Sequence, residues 1–486
     1  MFCYENDDNA NQLKMRFFEY DGDEEVANPQ QKLITETNSG LIIQDRNHLK
    51  EVLKELHSTF SQTGQIECNS TDIEQYSREI QTSRLAEIVK KISEKDNAEK
   101  CSEYSASELM NQEVYGQCTR CVMDTSDVDI AFDAHGYCNH CNNYFSNIRH
   151  RMYVGEQSDA ERQLVLSKIK RAGKGKKYDC VIGVSGGVDS SYVAWLAKNE
   201  GLRPLLVHLD NGWNSEISVE NIRKLAQLLE VDYECYVLDW EEFRSIQLAF
   251  LMASVPEMET PTDMAIPSAL HKVAAKYGIK YIISGGNFAT EGILPKTWHY
   301  NAKDMKYFKH ILKKNGKVKI KTFPVFGAKQ ELWYKIFRGI KIVYLLNYFP
   351  YAKDKAQKLL ENELGWKYYG GKHYESVYTG FVQSYIMPVK FNMDYRRATL
   401  STQICAGEAD RDSALEILRE PSFHVDKAQA EKEYICKKLQ LSIDEFEVMM
   451  NELPKTYRDY PNEEKRLQFI YRIYRKLYKK SDYRQI

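Results

Sequence analysis

The 486-residue sequence lacks a long uninterrupted apolar run. Its longest apolar stretch, residues 336–349, contains Arg338 and Lys341 and is too short to span a bilayer. The first thirty residues are acidic and do not show a basic segment followed by an apolar one, so no secretory signal is visible. We therefore expect a cytoplasmic protein without a transmembrane segment.

The sequence also lacks a disulfide framework and a strong net charge. Of its eleven cysteines, four form two Cys-x-x-Cys pairs and seven are scattered, which favours a reducing compartment with one metal site. The net charge is −2, but residues 296–340 carry 12 Lys and Arg against 2 Asp and Glu. Such a basic block indicates a phosphate-bearing substrate, an acidic partner, an anionic surface or simply a solvated face.

Two common phosphate-binding motifs are missing: a Walker A sequence and the Gly-x-Gly-x-x-Gly of dinucleotide folds. In their place, Ser185-Gly186-Gly187-Val188-Asp189-Ser190-Ser191 lies between an apolar run, residues 179–184, and a helical pattern, residues 190–199. Adjacent glycines let a backbone approach a ligand, and the N–H groups of a helix start attract anions. The segment predicts a phosphate-binding loop, and it resembles the pyrophosphate loop of the ATP pyrophosphatases.

The pattern after Tyr178 predicts a doubly wound parallel sheet with helices between its strands. Predicted strands are residues 179–184, 205–209, 233–238 and 281–284. Ligands of such sheets lie beyond the carboxyl ends of the strands. The residues there are candidates for binding ribose, adenine or phosphate, with ordinary loop formation as the alternative: His208, Asp210, Asn211, Gly285, Gly286 and Asn287.

A metal site is predicted upstream of the loop. Cys118 and Cys121 form one Cys-x-x-Cys pair, and Cys138 and Cys141 form the second. Four thiolates at this spacing can close tetrahedrally around Zn²⁺ and leave no position open for water, so the zinc should be structural. His140 within the second pair and His135 before it offer alternative ligands.

These features divide the chain into four parts. Residues 1–110 form an appendage that resembles the C-terminal end of a two-domain glycosyltransferase but has no catalytic motif. Residues 111–150 form the four-cysteine module, residues 160–300 the phosphate-loop domain, and residues 301–486 a mostly helical substrate or partner region. The basic aromatic helix at residues 465–480 is most simply a core face, with peripheral membrane contact as the alternative.

Several segments in combination resemble the N-acetyl sugar amidotransferases, from about Gln117 to about Tyr460. The segments are the cysteine pairs, the phosphate loop, residues 208–214, Gly285 to Asn287 with Glu291, Lys372-His373-Tyr374-Glu375-Ser376, and Asp394-Tyr395-Arg396-Arg397. Thr399 departs from the family pattern, which has a histidine there. The resemblance implies an ATP pyrophosphatase (adenine nucleotide alpha hydrolase-like) fold.

The family's chemistry implies that AMP is transferred to the acetamido oxygen of an N-acetyl sugar and that ammonia then displaces AMP, giving an acetamidino sugar. Ser185, Gly186, Gly187, Ser190 and Ser191 would hold pyrophosphate, and Asp189 would bind Mg²⁺. Further implied residues are the phosphate clamps Lys372 and Lys390, and the sugar-binding Glu291, His373, Glu375, Arg396 and Arg397. The sugar would be acidic or nucleotide-linked and serve lipopolysaccharide, O-antigen or nonulosonic acid biosynthesis.

The resemblance also implies a separate glutaminase with a cyclase-like companion, because this sequence has no recognisable glutaminase nucleophile. The aromatic stretch at residues 332–351 is a candidate docking surface for it. The main alternative is a tRNA-modifying enzyme, a thiolase or a lysidine synthetase, because zinc with this loop also occurs there. The net charge of −2 disfavours a nucleic-acid partner. A third reading is a non-catalytic scaffold, which ATP binding would exclude.

Overall fold

The computed structural model describes residues 2–3, 16–17, 46–63, 115–370 and 374–477. The chain divides into two compact units, Met1–Gln112 and Glu113–Ile486. Predictions for Lys372 and His373 lie outside the described residues.

The first unit contains little described structure. Strands β1 (Phe2–Cys3) and β2 (Arg16–Phe17) pair antiparallel. Helix α1 spans Arg46–Thr63.

The second unit is built on a five-stranded parallel sheet of order β5-β4-β3-β6-β7, which confirms the predicted fold class. Its strands are β3 (Cys180–Gly183), β4 (Pro204–Asp210), β5 (Tyr233–Val237), β6 (Tyr281–Ser284) and β7 (Lys341–Tyr344). The chain runs outward from β3 to β5, then returns to the other side of β3 with β6. This reversal makes the end of β3 a topological switch point, where open parallel sheets bind their ligands.

Helices cover both faces of the sheet and continue through the rest of the unit. The helices to the end of the sheet are α2 (Asn139–Asn143), α3 (Glu156–Ala172), α4 (Val188–Asn199), α5 (Glu216–Leu228), α6 (Trp240–Met252), α7 (Thr260–Lys276), α8 (Phe288–Glu291), α9 (Met305–Asn315) and α10 (Ala328–Ile336). The later helices are α11 (Lys353–Leu364), α12 (Val377–Phe381), α13 (Met387–Phe391), α14 (Tyr395–Ala406), α15 (Arg411–Arg419), α16 (Val425–Leu439), α17 (Ile443–Asn451) and α18 (Glu464–Leu477). Irregular turns are π-helical at Tyr144–Ile148 and Val382–Ile386, and 3₁₀ at Arg149–Arg151, Leu345–Tyr348 and Tyr457–Asp459.

Alternate residues of the central strand enter different cores, as expected for a strand buried on both faces. Ile182 packs with Val193 of α4, whereas Val181 packs with Val273 of α7. A third core, rich in aromatic side chains such as Phe243 and Phe381, joins the helices beyond the sheet. The sheet is thereby fixed between two layers, and the C-terminal helices share the third core with α6 and α7.

The last strand was missed from the sequence. Residues 341–344 belong to the apolar stretch assigned as a docking surface, but Val343 is fully buried in the sheet, and Leu345, Leu346 and Tyr348 are buried beside it. The docking-surface interpretation is therefore wrong for these buried residues, which lie in the second half of residues 332–351. The sheet also extends past residue 300, the predicted end of the phosphate-loop domain.

Within the described residues, no helix combines the length and the apolar character needed to cross a membrane. In the C-terminal helix, Leu467 is buried, the Tyr471 hydroxyl donates to Glu331, and Phe469 and Ile473 are exposed. The predicted core face of this helix is thus only partly covered.

Candidate active site

The phosphate loop joins β3 to α4 at the switch point. Gly186 has φ +82°, and a Cβ added there would lie 2.4 Å from the Ser218 carbonyl oxygen, so glycine is required. The Ser190 hydroxyl lies 3.2 Å from the Ser185 hydroxyl and accepts from the Ser185 N–H. The N-cap residue of α4, Gly187, has no side chain to occupy the first N–H groups of the helix, and a helix N-terminus of this kind attracts anions.

Asp189 stands in the first turn of α4. Its carboxylate accepts hydrogen bonds from the Tyr351 hydroxyl and, at 3.4 Å, from Thr290. Burial and, secondarily, the Asp189 charge raise the pKa of Tyr351, so the phenol remains a neutral donor. Asp189 is therefore held in one orientation beside the loop by two hydroxyls.

The strand ends carry several polar side chains in fixed hydrogen bonds. His208 Nδ1 lies 2.9 Å from the Val184 carbonyl, and burial lowers the pKa of this imidazole, which stays neutral. Asp210 accepts from the Gly212 N–H at 2.9 Å, and Asn287 caps α8 through the Thr290 N–H. These contacts shape the loops around the site.

A cavity of about 920 Å³ opens from the phosphate loop. It is bounded by the ends of β3, β4 and β6, by the start of α7, by residues 288–300 and by the region from Glu375 to Thr399. The four-cysteine module contributes Asn143, Asn147 and Ile148, and Arg151, which follows it directly, also lines the cavity. This volume lies in the upper range of ligand sites, which suits a nucleotide together with a second substrate.

The structure brings some predicted residues to the cavity and not others. Those that line it are Ser185, Ser190, His208, Asn211, Gly285, Glu291 and Glu375. Those described residues that do not line it are Gly186, Gly187, Asp189, Ser191, Asp210, Gly286, Asn287, Lys390, Arg396 and Arg397. Ser191 is completely buried. Thr399, the departure from the family pattern, lines the cavity.

Three of the predicted phosphate or sugar ligands, Lys390, Arg396 and Arg397, form contacts outside the cavity. The Lys390 ammonium donates to the carbonyls of Met450 and Glu452 and so caps the end of α17. Arg396 forms an ion pair with Asp394 at 2.7 Å. With these side chains occupied away from the cavity, neither the phosphate clamp assigned to Lys390 nor the sugar contact assigned to Arg396 fits this geometry.

Arg397 serves the four-cysteine module and not the cavity. Its guanidinium forms an ion pair with Asp124 at 2.9 Å and donates to the Val122 carbonyl. Arg411 donates to the carbonyls of Cys118 and Cys121, each at 3.0 Å. Arg397 and Arg411 thus hold the module against the C-terminal helices. The sugar contact assigned to Arg397 from the sequence does not fit this geometry.

Glu375 lies beside the phosphate loop, although its segment suggested a sugar contact. Its backbone carbonyl accepts from the Ser215 N–H at 2.9 Å. A Cβ added at Gly187 would lie 3.4 Å from its carboxylate and 3.2 Å from the Tyr369 hydroxyl. Glu375 thus stands where the phosphate loop and the C-terminal region meet.

Several cavity residues were missed from the sequence. They are Arg151, Glu257, Glu259, Asp263, Lys296, Trp298 and Tyr395. The one signal for them was the acidic spacing Glu257, Glu259, Asp263 around Pro261, which lies in the first turn of α7. The cavity therefore carries more carboxylates than cations among its described lining residues.

The four cysteines form one cluster, as predicted. Their sulfur atoms all lie within 4.8 Å of one another, with 3.7 Å between Cys118 and Cys141 and between Cys121 and Cys138. A tetrahedral ion with Zn–S bonds of about 2.3 Å places its sulfurs about 3.8 Å apart, so the cluster fits zinc. Backbone N–H groups face the sulfurs, as between Cys138 N and Cys118 Sγ at 3.2 Å, and favour the thiolate form.

Two protein-family models match the chain. Residues 375–478 match the family described as LPS biosynthesis protein WbpG-like, C-terminal domain. Residues 179–331 match the family described as Queuosine biosynthesis protein QueC. Together they confirm the resemblance found in the sequence: an ATP-utilising domain of the PP-loop type followed by a WbpG-like C-terminal region.

Curated relatives share parts of the chain. The tRNA-specific 2-thiouridylase MnmA of Helicobacter hepaticus is 29% identical over 159 residues, 30% of this chain and 42% of that protein. The 7-cyano-7-deazaguanine synthase of Helicobacter pylori strain J99 is 40% identical over 63 residues, 13% of this chain and 28% of that protein. The chain spans about half or less of the length of these relatives.

Solved structures of low similarity include two synthetases. The NMN synthetase from Francisella tularensis has a TM-score of 0.22 and 15% identity, covering 42% of this chain and 95% of that one. The NH3-dependent NAD synthetase from Campylobacter jejuni has a TM-score of 0.23 and 18% identity, covering 42% and 82%.

Proposed function

We propose that this chain is an ATP-dependent N-acetyl sugar amidotransferase of surface-polysaccharide or nonulosonic acid biosynthesis. The observation that carries the proposal is the shared cavity: the phosphate loop lies at one side, and residues of the WbpG-like region, from Glu375 to Thr399, form another. A nucleotide on the loop would therefore meet a substrate held by the C-terminal region.

The proposed chemistry proceeds in two steps. The acetamido oxygen attacks the α-phosphorus of ATP, pyrophosphate leaves, and an O-adenylyl imidate forms. Ammonia then adds to the imidate carbon, and the bond from carbon to the AMP oxygen breaks. Adenylylation is needed because an amide carbonyl is a poor electrophile and its oxygen a poor leaving group.

The chain's own residues supply binding and orientation. Ser185, Ser190 and the N–H groups at the start of α4 would hold the pyrophosphate, and Asp189 would hold Mg²⁺. Mg²⁺, when bound, neutralises charge that develops on the leaving pyrophosphate. His208, kept neutral by burial, and Asn211 line the cavity at the end of β4, where they would contact the nucleoside.

The four cysteines would hold a structural zinc ion, because a set of four thiolates is closed to substrate. Zinc here would stabilise the wall that carries Arg151 and would take no part in bond breaking.

The competing tRNA thiolase requires a catalytic cysteine at the nucleotide. Among the described lining residues of the cavity there is no cysteine. Cys180 is buried within β3, Cys235 is exposed on the edge strand, and Cys405 lies 3.7 Å from Cys141. The amidotransferase therefore accounts better for the site.

The proposal predicts the products of the reaction. With ATP, Mg²⁺ and ammonium, a nucleotide-linked N-acetyl sugar should give AMP, pyrophosphate and a product about 1 Da lighter, since an oxygen is replaced by N–H. Chromatography of nucleotides and mass spectrometry of a sugar-nucleotide panel measure both. ADP with phosphate would contradict the mechanism, and AMP formed only with tRNA would favour the alternative.

We also propose that a separate glutaminase with a cyclase-like subunit supplies the ammonia. Ammonium should then support turnover by the isolated chain, and glutamine should not. The matched measurement is amidine formation with ammonium chloride or glutamine at equal nitrogen concentration. Turnover with glutamine alone would show that the chain hydrolyses glutamine itself.

The first unit is predicted to be dispensable for this chemistry, because it lies outside the resemblance. A chain that begins at Glu113, the start of the second compact unit, should keep the melting temperature of that unit and its turnover. Calorimetry and the AMP assay on both chains test this. A well-folded shortened chain without activity would show that residues 1–112 complete the site or its ammonia supply.

A further inference from the structure

The start of α7 and the turn before it place three carboxylates on one wall of the cavity. Glu257, Glu259 and Asp263 all line it. Glu257 is 6% exposed and accepts from the Tyr307 hydroxyl at 3.0 Å, whereas Glu259 accepts from the Thr379 hydroxyl at 2.9 Å. Glu257 and Glu259 are thus each anchored by one hydroxyl, and Asp263 lies on the same wall of the cavity.

Two buried polar groups at this cluster have no hydrogen-bond partner among the described residues. Glu259 Oε1 is shielded from solvent and has no hydrogen bond, and the hydroxyl of Tyr378, a residue 1% exposed, has none either. Burial and then the Glu259 charge raise the pKa of Tyr378, which shows that the two groups are electrostatic neighbours. Buried polar groups normally have partners, so a small hydrogen-bonding ligand is expected there.

The charge of the cavity indicates what that ligand is. Five carboxylates line the cavity, from Glu257, Glu259, Asp263, Glu291 and Glu375, and the arginine and lysine side chains that line it are Arg151 and Lys296. ATP would add further negative charge. A small cation with several N–H donors would satisfy this wall, whereas a second anion would be repelled.

We propose that Glu257, Glu259 and Asp263 form an ammonium-binding subsite, and that Glu259 accepts the proton that ammonium loses before it attacks the imidate. The inference rests on the proposed amidination. One N–H bond of ammonium breaks and its proton passes to the Glu259 carboxylate. The freed nitrogen pair forms the new C–N bond, and AMP leaves with the electron pair of the broken C–O bond.

The acid strengths of the cluster are consistent with this role. Burial, and to a lesser degree Asp263, raises the pKa of Glu259 to about 8, and burial raises the pKa of Glu257 to about 7. A raised pKa makes the ionised Glu259 carboxylate a stronger base than an exposed one, and the fraction of Glu259 able to accept a proton grows as the pH rises through about 8. The other titratable groups among the described lining residues of the cavity are Arg151, His208, Glu291, Lys296, His299, Tyr300, Glu375 and Tyr395.

The test compares Glu259→Gln with the wild-type chain. The variant keeps an oxygen for the Thr379 hydroxyl but loses the charge. The ammonium concentration at half-saturation should rise about tenfold or more, and kcat for amidine formation should fall. Exchange of labelled pyrophosphate into ATP, which needs the sugar but no ammonia, should be unchanged. The exposed Glu416→Gln is the matched control and should behave as the wild type.

Tyr378→Phe provides a second variant that keeps the ring stacked on Trp213, with centroids 5.1 Å apart. It should also raise the half-saturating ammonium concentration. An equal loss of pyrophosphate exchange in Glu259→Gln would place this residue in adenylylation and overturn the inference. So would equal saturation curves for ammonium in wild type and both variants.

A direct measurement separates this inference from the proposed function. Nitrogen-15 NMR line broadening of ammonium chloride should show binding to the wild type, with ATP and Mg²⁺ present, and weaker binding to Glu259→Gln. If no N-acetyl sugar yields AMP but ammonium still binds in this way, the proposed amidotransferase function is wrong and the ammonium subsite is supported. Absent binding, or equal displacement by potassium chloride, would overturn the subsite.

Discussion

Asp189→Asn is expected to reduce AMP formation by about 100-fold or more while the chain remains folded. The carboxylate lies in the first turn of α4, beside the cradle proposed for pyrophosphate. Asparagine has nearly the same shape: its amide oxygen can accept from the Tyr351 hydroxyl, and its NH2 group can donate to the Thr290 hydroxyl oxygen, which contacts the other carboxylate oxygen of Asp189. The change therefore removes a negative charge that would bind Mg²⁺ and leaves the hydrogen bonds in place.

Tyr351→Phe is the matched control for this variant. It removes a hydroxyl that holds Asp189 but keeps the carboxylate, so it should cost much less activity than Asp189→Asn. AMP formation at saturating Mg²⁺ and melting temperature are measured for both variants. Full activity in Asp189→Asn would show that this carboxylate does not hold the metal.

Cys121→Ser is expected to release the metal and to lower the melting temperature by about 10 °C or more. Structural zinc contributes on the order of 10 kcal/mol in small domains, and one missing thiolate opens the tetrahedral set. The loss of stability should extend from the module to the C-terminal helices because Cys121 is fully buried and its carbonyl accepts a hydrogen bond from Arg411. Metal content by mass spectrometry and thermal unfolding measure the two effects.

Two other cysteines serve as controls. Cys235→Ser changes an exposed thiol on the edge strand and should leave metal content unchanged. Cys405→Ser removes the fifth thiol, which lies 3.7 Å from Cys141, and should also leave the four ligands complete. If Cys121→Ser stays folded and loaded with metal but loses turnover, the cluster is not a closed structural site.

The sequence predicted the elements whose signals are local. The strands before and after the phosphate loop have near-continuous apolar runs, and the structure places them within one or two residues of the predicted bounds. The cysteine spacing similarly predicts the observed cluster. The strand Lys341–Tyr344 was missed because it is short, begins with lysine and continues into a buried 3₁₀ turn, so it looked like a longer apolar surface segment.

The cavity was predicted only in part because its walls come from distant segments. Ser185 and Ser190 belong to a compact motif that a sequence shows directly. Glu259, Trp298 and Tyr395 meet there only through the packing of helices beyond the sheet. Conversely, Arg396 and Arg397 looked like anion ligands, but neighbouring carboxylates at Asp394 and Asp124 neutralise them. Charge pairing of this kind has no periodic signature.

The hydrogen bond from Arg411 to the Cys121 carbonyl joins two segments that the ribosome makes at different times. These residues are 290 positions apart, whereas the four cysteines lie within 24 residues of sequence. At about 5 to 20 residues per second, the ribosome delivers Arg411 about 15 to 60 s after Cys121. The cysteine module is available for metal throughout that interval, while the wall from Glu375 to Thr399 is still being made. A nascent chain thus has its metal ligands well before it has a complete substrate cavity.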